Sequence, residues 1–265
     1  MPNPTTPVSR TSWHANTFSE GARTLAEETA IAITYNRVTH AVMMATPADL
    51  HDFAVGFSLS EGIVPAPDVI QDYAMVEAEG GVELRLWIPP AHMDALETRR
   101  RRLAGATGCG MCGLESLAEA LRPVPTAPPG RAYDAATIDR AIASLAGAQV
   151  LNQATRAVHA AGFWTPDAGL LAVREDVGRH NALDKLGGAL ARAGAHAADG
   201  IVLLTSRISI ELVQKAARMG APVIVAVSAP TALAVRAAQS AGMTLVGVAR
   251  RDGFEVFTHA HRIHP

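Results

Sequence analysis

Residues 201–248 read IVLLTSRISIELVQKAARMGAPVIVAVSAPTALAVRAAQSAGMTLVGV, and the rhythm of this stretch sets the fold. Short apolar runs at 201–205, 222–227 and 243–248 alternate with helical patterns. Leu212, Val213, Ala216 and Ala217 recur at helical spacing in the first pattern, and Leu233, Ala234, Ala237 and Ala238 in the second. Gly220 and Gly242 stop those helices just before the next run. Apolar strands joined through helices by short connections predict an α/β layered sheet, mostly parallel. The pattern continues upstream, where a run at 169–173 precedes a helix carrying Leu183, Leu186 and Leu190. Downstream, Arg251-Asp252-Gly253 is a hairpin signal that joins the last run to residues 254–258 as an antiparallel edge.

The N-terminal half reads differently. Residues 1–26, rich in Pro, Ser and Thr, are expected to be a mobile tail. β-Branched residues over 29–46, interrupted by Asn36-Arg37, predict a hairpin. Thr46-Pro47-Ala48-Asp49 has the form of a helix start with Thr46 as the capping hydroxyl, followed by Leu50, Phe53, Ala54 and Phe57 at helical spacing and Gly62 as a stop. Val82, Leu84, Leu86 and Ile88 alternate with polar or amphipathic residues, as in a half-buried strand. A basic run at 99–102 leads to the loop GATGCGMCG and a short helix carrying Leu114, Leu117, Ala118 and Leu121. Residues 122–130 hold four prolines and mark a junction between domains, after which Ile138, Ala141, Ile142 and Leu145 form a further helix. The expected division is a smaller α+β domain over 27–130, carrying the cysteine loop, and an α/β domain over 131–265.

Composition narrows the function. With 49% hydrophobic and 18% charged residues, the 265-residue chain is not a disordered one. A net charge of −2 argues against a nucleic-acid protein that binds through an overall basic surface. No run approaches the roughly 20 apolar residues of a membrane span, and the first residues lack the apolar core of a secretory signal. A cytoplasmic, non-membrane protein is expected.

In a parallel sheet the connections leaving the strand C-termini share one edge, where ligands bind. Here they carry Asp176, Arg179 and His180, then Ser206-Arg207-Ile208-Ser209, Ser228-Ala229-Pro230-Thr231, and Arg250-Arg251-Asp252-Gly253. Arginines, hydroxyls, a histidine and glycines suit a phosphorylated ligand such as a nucleotide. The plainer alternatives are helix caps at Ser209 and Thr231, a local Asp176–Arg179 ion pair and a structural His180.

Both cysteines, Cys109 and Cys112, lie in one C-x-x-C motif. Too few to build a disulfide scaffold, they leave three chemistries open. Structural zinc lacks a second ligand pair. A thioredoxin-type dithiol lacks the strand-to-helix setting. A sulfur carrier needs a thiolate at neutral pH, which the neighbouring arginines and the helix after the loop would favour over the ordinary cysteine pKa of about 8.5.

Five blocks in order, TGCGMCG (107–113), REDVGRHNALDK (174–185), TSRISIELVQKAARMG (205–220), SAPTALAV (228–235) and GVARRDGFEVFT (247–258), make the chain similar to the FdhD proteins, the formate dehydrogenase accessory sulfurtransferase family. The resemblance runs from about Glu27 to Thr258. It implies a sulfurtransferase that takes sulfane sulfur from a cysteine desulfurase. The acceptor would be the molybdenum cofactor in its bis-molybdopterin guanine dinucleotide form, before insertion into the formate dehydrogenase catalytic subunit. It also implies a cytidine-deaminase-like C-terminal sheet without zinc, and a homodimer. Cys109 then falls as the persulfide cysteine and Cys112 as its helper, while Val248, Ala249, Arg250, Arg251, Asp252 and Gly253 fall in the cofactor-binding segment, for which GDP is a surrogate ligand. Arg207, His180 and Asp176 join that site from the loop argument. One departure stands out: Thr155-Arg156-Ala157-Val158-His159-Ala160-Ala161 occupies the place where relatives often read T-G-G-x-H-A-A. A cofactor chaperone without chemistry and a zinc-dependent deaminase are the competing classes. The second lacks the His-x-Glu and Pro-Cys-x-x-Cys pair that deamination requires.

Overall fold

The computed structural model describes residues 2–94, 96 and 123–265. The tail expected over 1–26 is instead a hairpin, in which β1 (Thr5–His14) pairs antiparallel with β2 (Thr17–Ala26) along its whole length. Ala15 and Asn16 turn it with φ of 46° and 61°, the left-handed pair that suits a tight hairpin. The Thr-rich composition that suggested a linker also favours strands.

In the N-terminal domain the expected hairpin forms from β3 (Thr29–Tyr35) and β4 (Val38–Ala45), turning at Asn36-Arg37. Together with β5 (Asp72–Ala78) and β6 (Gly81–Trp87) it makes a sheet in the order β4-β3-β6-β5, with β3 and β6 parallel. Alternation in β6 sends Val82, Leu84 and Leu86 inward, where they meet Leu50, Phe53, Ala54 and Phe57 of α1 (Leu50–Ser60). Burying each such side chain contributes about 1.5–3 kcal/mol. Thr46 does not cap this helix. Asp49 is the N-cap, in the left-handed conformation at φ 54° and with no side-chain cap bond. The Thr46 hydroxyl turns away to accept from the backbone N–H of Val177, in the other domain.

After the two-residue β7 (Tyr133–Asp134), the C-terminal domain places α2 (Ala135–Ala148), α3 (Val150–Thr155), β8 (His159–Thr165), β9 (Gly169–Asp176), α4 (Arg179–Arg192), β10 (Ile201–Leu204), α5 (Ile210–Arg218), β11 (Val223–Ala226), α6 (Ala232–Ala241), β12 (Thr244–Arg250) and β13 (Gly253–Val256) around one sheet. The strand order is β13-β12-β11-β10-β8-β9. Val202, Leu204, Ile224, Ala226 and Leu245 pack one face against α4, α5 and α6. Ile201, Leu203, Val223, Val225 and Val246 pack the other against α2. Burial on both faces is why these strands read as continuous apolar runs.

The sheet is less parallel than expected. Only β10–β11 and β11–β12 pair in parallel, whereas β8–β9, β8–β10 and β12–β13 are antiparallel. The strand absent from the sequence reading is β8, HAAGFWT, whose nearly uniform burial leaves no alternation to detect.

The two domains meet where α1 crosses α4. A Cβ on Gly56 would lie inside the carbonyl of Asp184, and one on Gly188 inside that of Asp52. The helix backbones touch there, which only glycine permits.

Candidate functional site

Because β8 runs against both β9 and β10, the strands β9, β10, β11 and β12 all point the same way. Their C-terminal ends share one edge. The loops that follow them, 177–180, 205–209, 227–231 and 250–253, are the four connections singled out in the sequence. At about 4.8 Å per strand, the four spacings from β9 to β12 make an edge of roughly 19 Å.

At the β12 end the ladder breaks between Gly247 and Arg250. Val248 sits in the bulge at φ 52°, an unusual conformation for a β-branched residue, and its N–H donates to Ser228 O at 3.3 Å. The bulge turns Arg250, Arg251 and Asp252 into solvent, with Val248 and Gly253 half-buried; Ala249 is buried and offers no side-chain surface. Arg207, after β10, is also exposed. None of Arg207, Arg250 and Arg251 makes a salt bridge among the described residues; Arg250 has one long bond, Nε to Val227 O at 3.5 Å. Thr231 accepts from Ala234 N at 3.2 Å, so it is the plain helix cap.

The segment 174–185 has another role. Asp176 is fully buried and does not face the edge. Its carboxylate holds Lys185 Nζ at 2.6 Å and accepts from Thr46 N, Gly178 N and Asn181 Nδ2. Lys185 donates onward to Thr46 O, and Asn181 to Met44 O. Arg174 binds Asp52 of α1 at 2.7 Å, and Glu175 accepts the backbone N–H groups of Leu151 and Asn152, capping α3. Asp184 holds Lys215 Nζ, which also reaches Ser60, the last residue of α1, and Glu61, its C-cap. Burial pulls the Lys185 ammonium below its usual range despite Asp176. Burial acts the same way on Lys215, but Asp184 and Glu61 more than offset it and hold its pKa above the usual range. This segment stitches the domains together. The expectation that Asp176 belongs to the ligand site is corrected on that ground: its oxygens are already engaged.

What faces the edge from this segment is Arg179 and His180. The His180 Nε2 lies 3.8 Å from Glu211 Oε2. Burial first, then the charge of Arg179, pushes its pKa down to about 4, so the ring is neutral at pH 7. His159, at the start of β8, is half-buried and lowered in the same direction by burial and by Arg179. Arg179 is one of the edge residues named from the sequence, with an Asp176–Arg179 ion pair as the plainer alternative; Asp176 pairs with Lys185 instead.

Cys109, Cys112 and the basic run at 99–102 lie outside the described residues. Among the described residues no group of three His, Cys, Asp or Glu could hold a metal ion, and no helix is long and apolar enough to cross a membrane. A cavity of about 670 Å³ opens on the domain seam instead of the edge, between the end of α1, residues 65–67, Pro128 and the C-terminal half of α4. Its floor holds Ser60 and Asp184, already paired to each other.

Comparison with known proteins adds to this geometry. The pattern of the FdhD/NarQ family matches residues 26–264. The chain is 52% identical over 257 residues to "Sulfur carrier protein FdhD" of Agrobacterium fabrum, covering 97% of this chain and 95% of that protein. It is 50% identical over 247 residues to the protein of the same name in Brucella abortus, covering 93% and 92%. A crystal structure from Desulfotalea psychrophila, designated a formate dehydrogenase accessory protein, superposes with a TM-score of 0.76 at 25% identity, covering 99% of this chain and all of that one.

Proposed function

The chain belongs to the FdhD/NarQ family, and from that premise we propose that it is a sulfur carrier serving formate dehydrogenase. Sulfane sulfur comes from a cysteine desulfurase and goes to the molybdenum cofactor, bis-molybdopterin guanine dinucleotide, held across the C-terminal edge of the six-stranded sheet. The observation that supports the cofactor's placement is the set of arginines on that edge, Arg207 after β10 and Arg250 and Arg251 after a strained bulge, which make no salt bridge among the described residues. Elsewhere in the molecule arginines such as Arg174 and Arg192 are paired with carboxylates. Guanidinium groups match phosphate oxygens in a two-pronged way, and the Asp252 carboxylate suits the N–H edge of guanine. The cytidine-deaminase-like layering is part of the same reading, supported by helices on both faces of the sheet.

The chemistry runs on Cys109. Its thiolate attacks the outer sulfur of the desulfurase persulfide, the S–S bond breaks, and the desulfurase cysteine departs as thiolate. Cys112 thiolate then attacks the inner sulfur of the Cys109 persulfide. The outer sulfur leaves as hydrosulfide toward the cofactor, and a Cys109–Cys112 disulfide remains. The protein acts as a homodimer in the cytoplasm.

Complementation tests this reading. In a strain lacking the native carrier, Cys109→Ala should abolish formate dehydrogenase activity, while Cys112→Ala should leave measurable persulfide on Cys109. Full rescue by a Cys109→Ala, Cys112→Ala double variant would make the protein a cofactor chaperone without sulfur chemistry.

A further inference from the structure

Arg179 is anomalous among the half-buried cations of this chain. Its Nε is buried with no hydrogen-bond partner, and the guanidinium makes no salt bridge among the described residues. The neighbouring His180 Nε2 is likewise buried and unpartnered. Two such atoms on consecutive residues are costly, since a buried donor without an acceptor forfeits the full cost of its lost hydration. The acidic neighbour, Glu211, stands 3.8 Å from His180 and does not close an ion pair with Arg179. His159 approaches from the start of β8, the strand beside β9, and its imidazole feels the charge of Arg179. Among the described residues this guanidinium has two imidazoles and one carboxylate, Glu211, for neighbours and closes an ion pair with none, which makes it half of a recognition site.

We propose that Arg179, flanked by His180 and His159, forms an anion subsite on this edge that takes a phosphate or pyrophosphate group, apart from the turn at Arg250–Gly253. The ligand it completes is one with anionic groups at both ends, as a molecule carrying two nucleotide arms has. His180 lies 3.8 Å from Glu211, which opens α5 after β10, so the subsite sits over the middle of the edge, two strand separations or about 10 Å from β12. This inference rests on the reading that the cofactor crosses this edge, and it adds a contact that the turn after β12 cannot make.

Calorimetry with inorganic pyrophosphate tests it, with the ring protons of His180 and His159 followed by NMR. The intact protein should take up two pyrophosphates per chain and shift both imidazole signals. Arg179→Gln should remove one of the two uptakes, or weaken it at least tenfold, with an unchanged melting temperature. Arg179→Lys, which keeps the charge and the fold but loses the two-pronged geometry, should bind several-fold less tightly. Arg250→Ala should spare the Arg179 uptake and the imidazole shifts. Undiminished two-site binding in both Arg179 variants, or equal displacement by sulfate, would overturn the subsite. GDP binding that ignores Arg250→Ala, with the pyrophosphate results as expected, would instead sink the placement of the cofactor and leave the subsite standing.

Discussion

Residues 174–185 and residues 248–253 look alike as sequences, each with two arginines, at least one aspartate and a glycine, and both begin in the last residues of strands that end at the same sheet edge. Their physical fates differ. In the first, Asp176, Lys185 and Asp184 are buried and bonded across the domain seam to Thr46 and Ser60. In the second, Arg250, Arg251 and Asp252 stand in solvent behind a strained bulge. The same residue types therefore serve as a clamp in one place and as a ligand-facing surface in the other. Whether their hydrogen-bonding capacity is already filled separates the two.

Breaking the clamp should have the largest effect. Lys215→Met takes the cation away from the buried Asp184 carboxylate, and removal of one buried partner costs about 3–5 kcal/mol. Urea unfolding should show that loss, and adding Asp184→Leu should recover part of it. Next comes Gly56→Ala, which puts a methyl group against the backbone of α4 and should cost about 3 kcal/mol by overpacking. A smaller loss would mean the helices can separate.

The surface should respond in the opposite way. Arg250→Ala or Asp252→Ala should weaken GDP binding by roughly ten- to hundredfold, equivalent to about 1.5–3 kcal/mol for a charged hydrogen bond, with no change in melting temperature. A drop in stability instead would show that the turn after β12 is scaffold too, and the contrast would fail.

The smallest effect concerns pH. His180 titrates at about 4 in the folded protein against 6.5 when unfolded. The unfolded chain thus binds its proton first, and this contribution to stability, complete above pH 6.5, is lost as pH falls toward 4. His159 and His51, both lowered by burial, act with the same sign. Between pH 7 and pH 5 the His180 share should be on the order of 1 kcal/mol after allowance for its partial exposure. Unfolding of His180→Gln at the two pH values should show a flatter dependence.

Much of the architecture was legible in the sequence because strands buried on both faces and amphipathic helices leave strong periodic signatures. The turns at Asn36-Arg37 and Arg251-Asp252-Gly253 were legible from their residue types. Segment β8 was not, since a strand with no polar face carries no period. The hairpin of β1 and β2 was hidden by a Thr-rich composition that serves linkers and strands equally. The strand–helix rhythm puts Arg207, Arg250, Arg251 and Asp252 in loops after strands, and in the structure those loops share one edge with the four side chains exposed. The engagement of Asp176 is not legible, because a local pattern does not reveal that Thr46, 130 residues away, has already filled the aspartate.

The central claim is that Cys109 carries the sulfur. Incubating the purified protein with a cysteine desulfurase and cysteine, then mapping alkylated peptides by mass spectrometry, tests it most directly. One extra sulfur atom on the peptide containing Cys109 and Cys112, lost in Cys109→Ala and kept in Cys112→Ala, is the expected result. Sulfane sulfur retained in Cys109→Ala, or none on either cysteine of the intact protein, would contradict it.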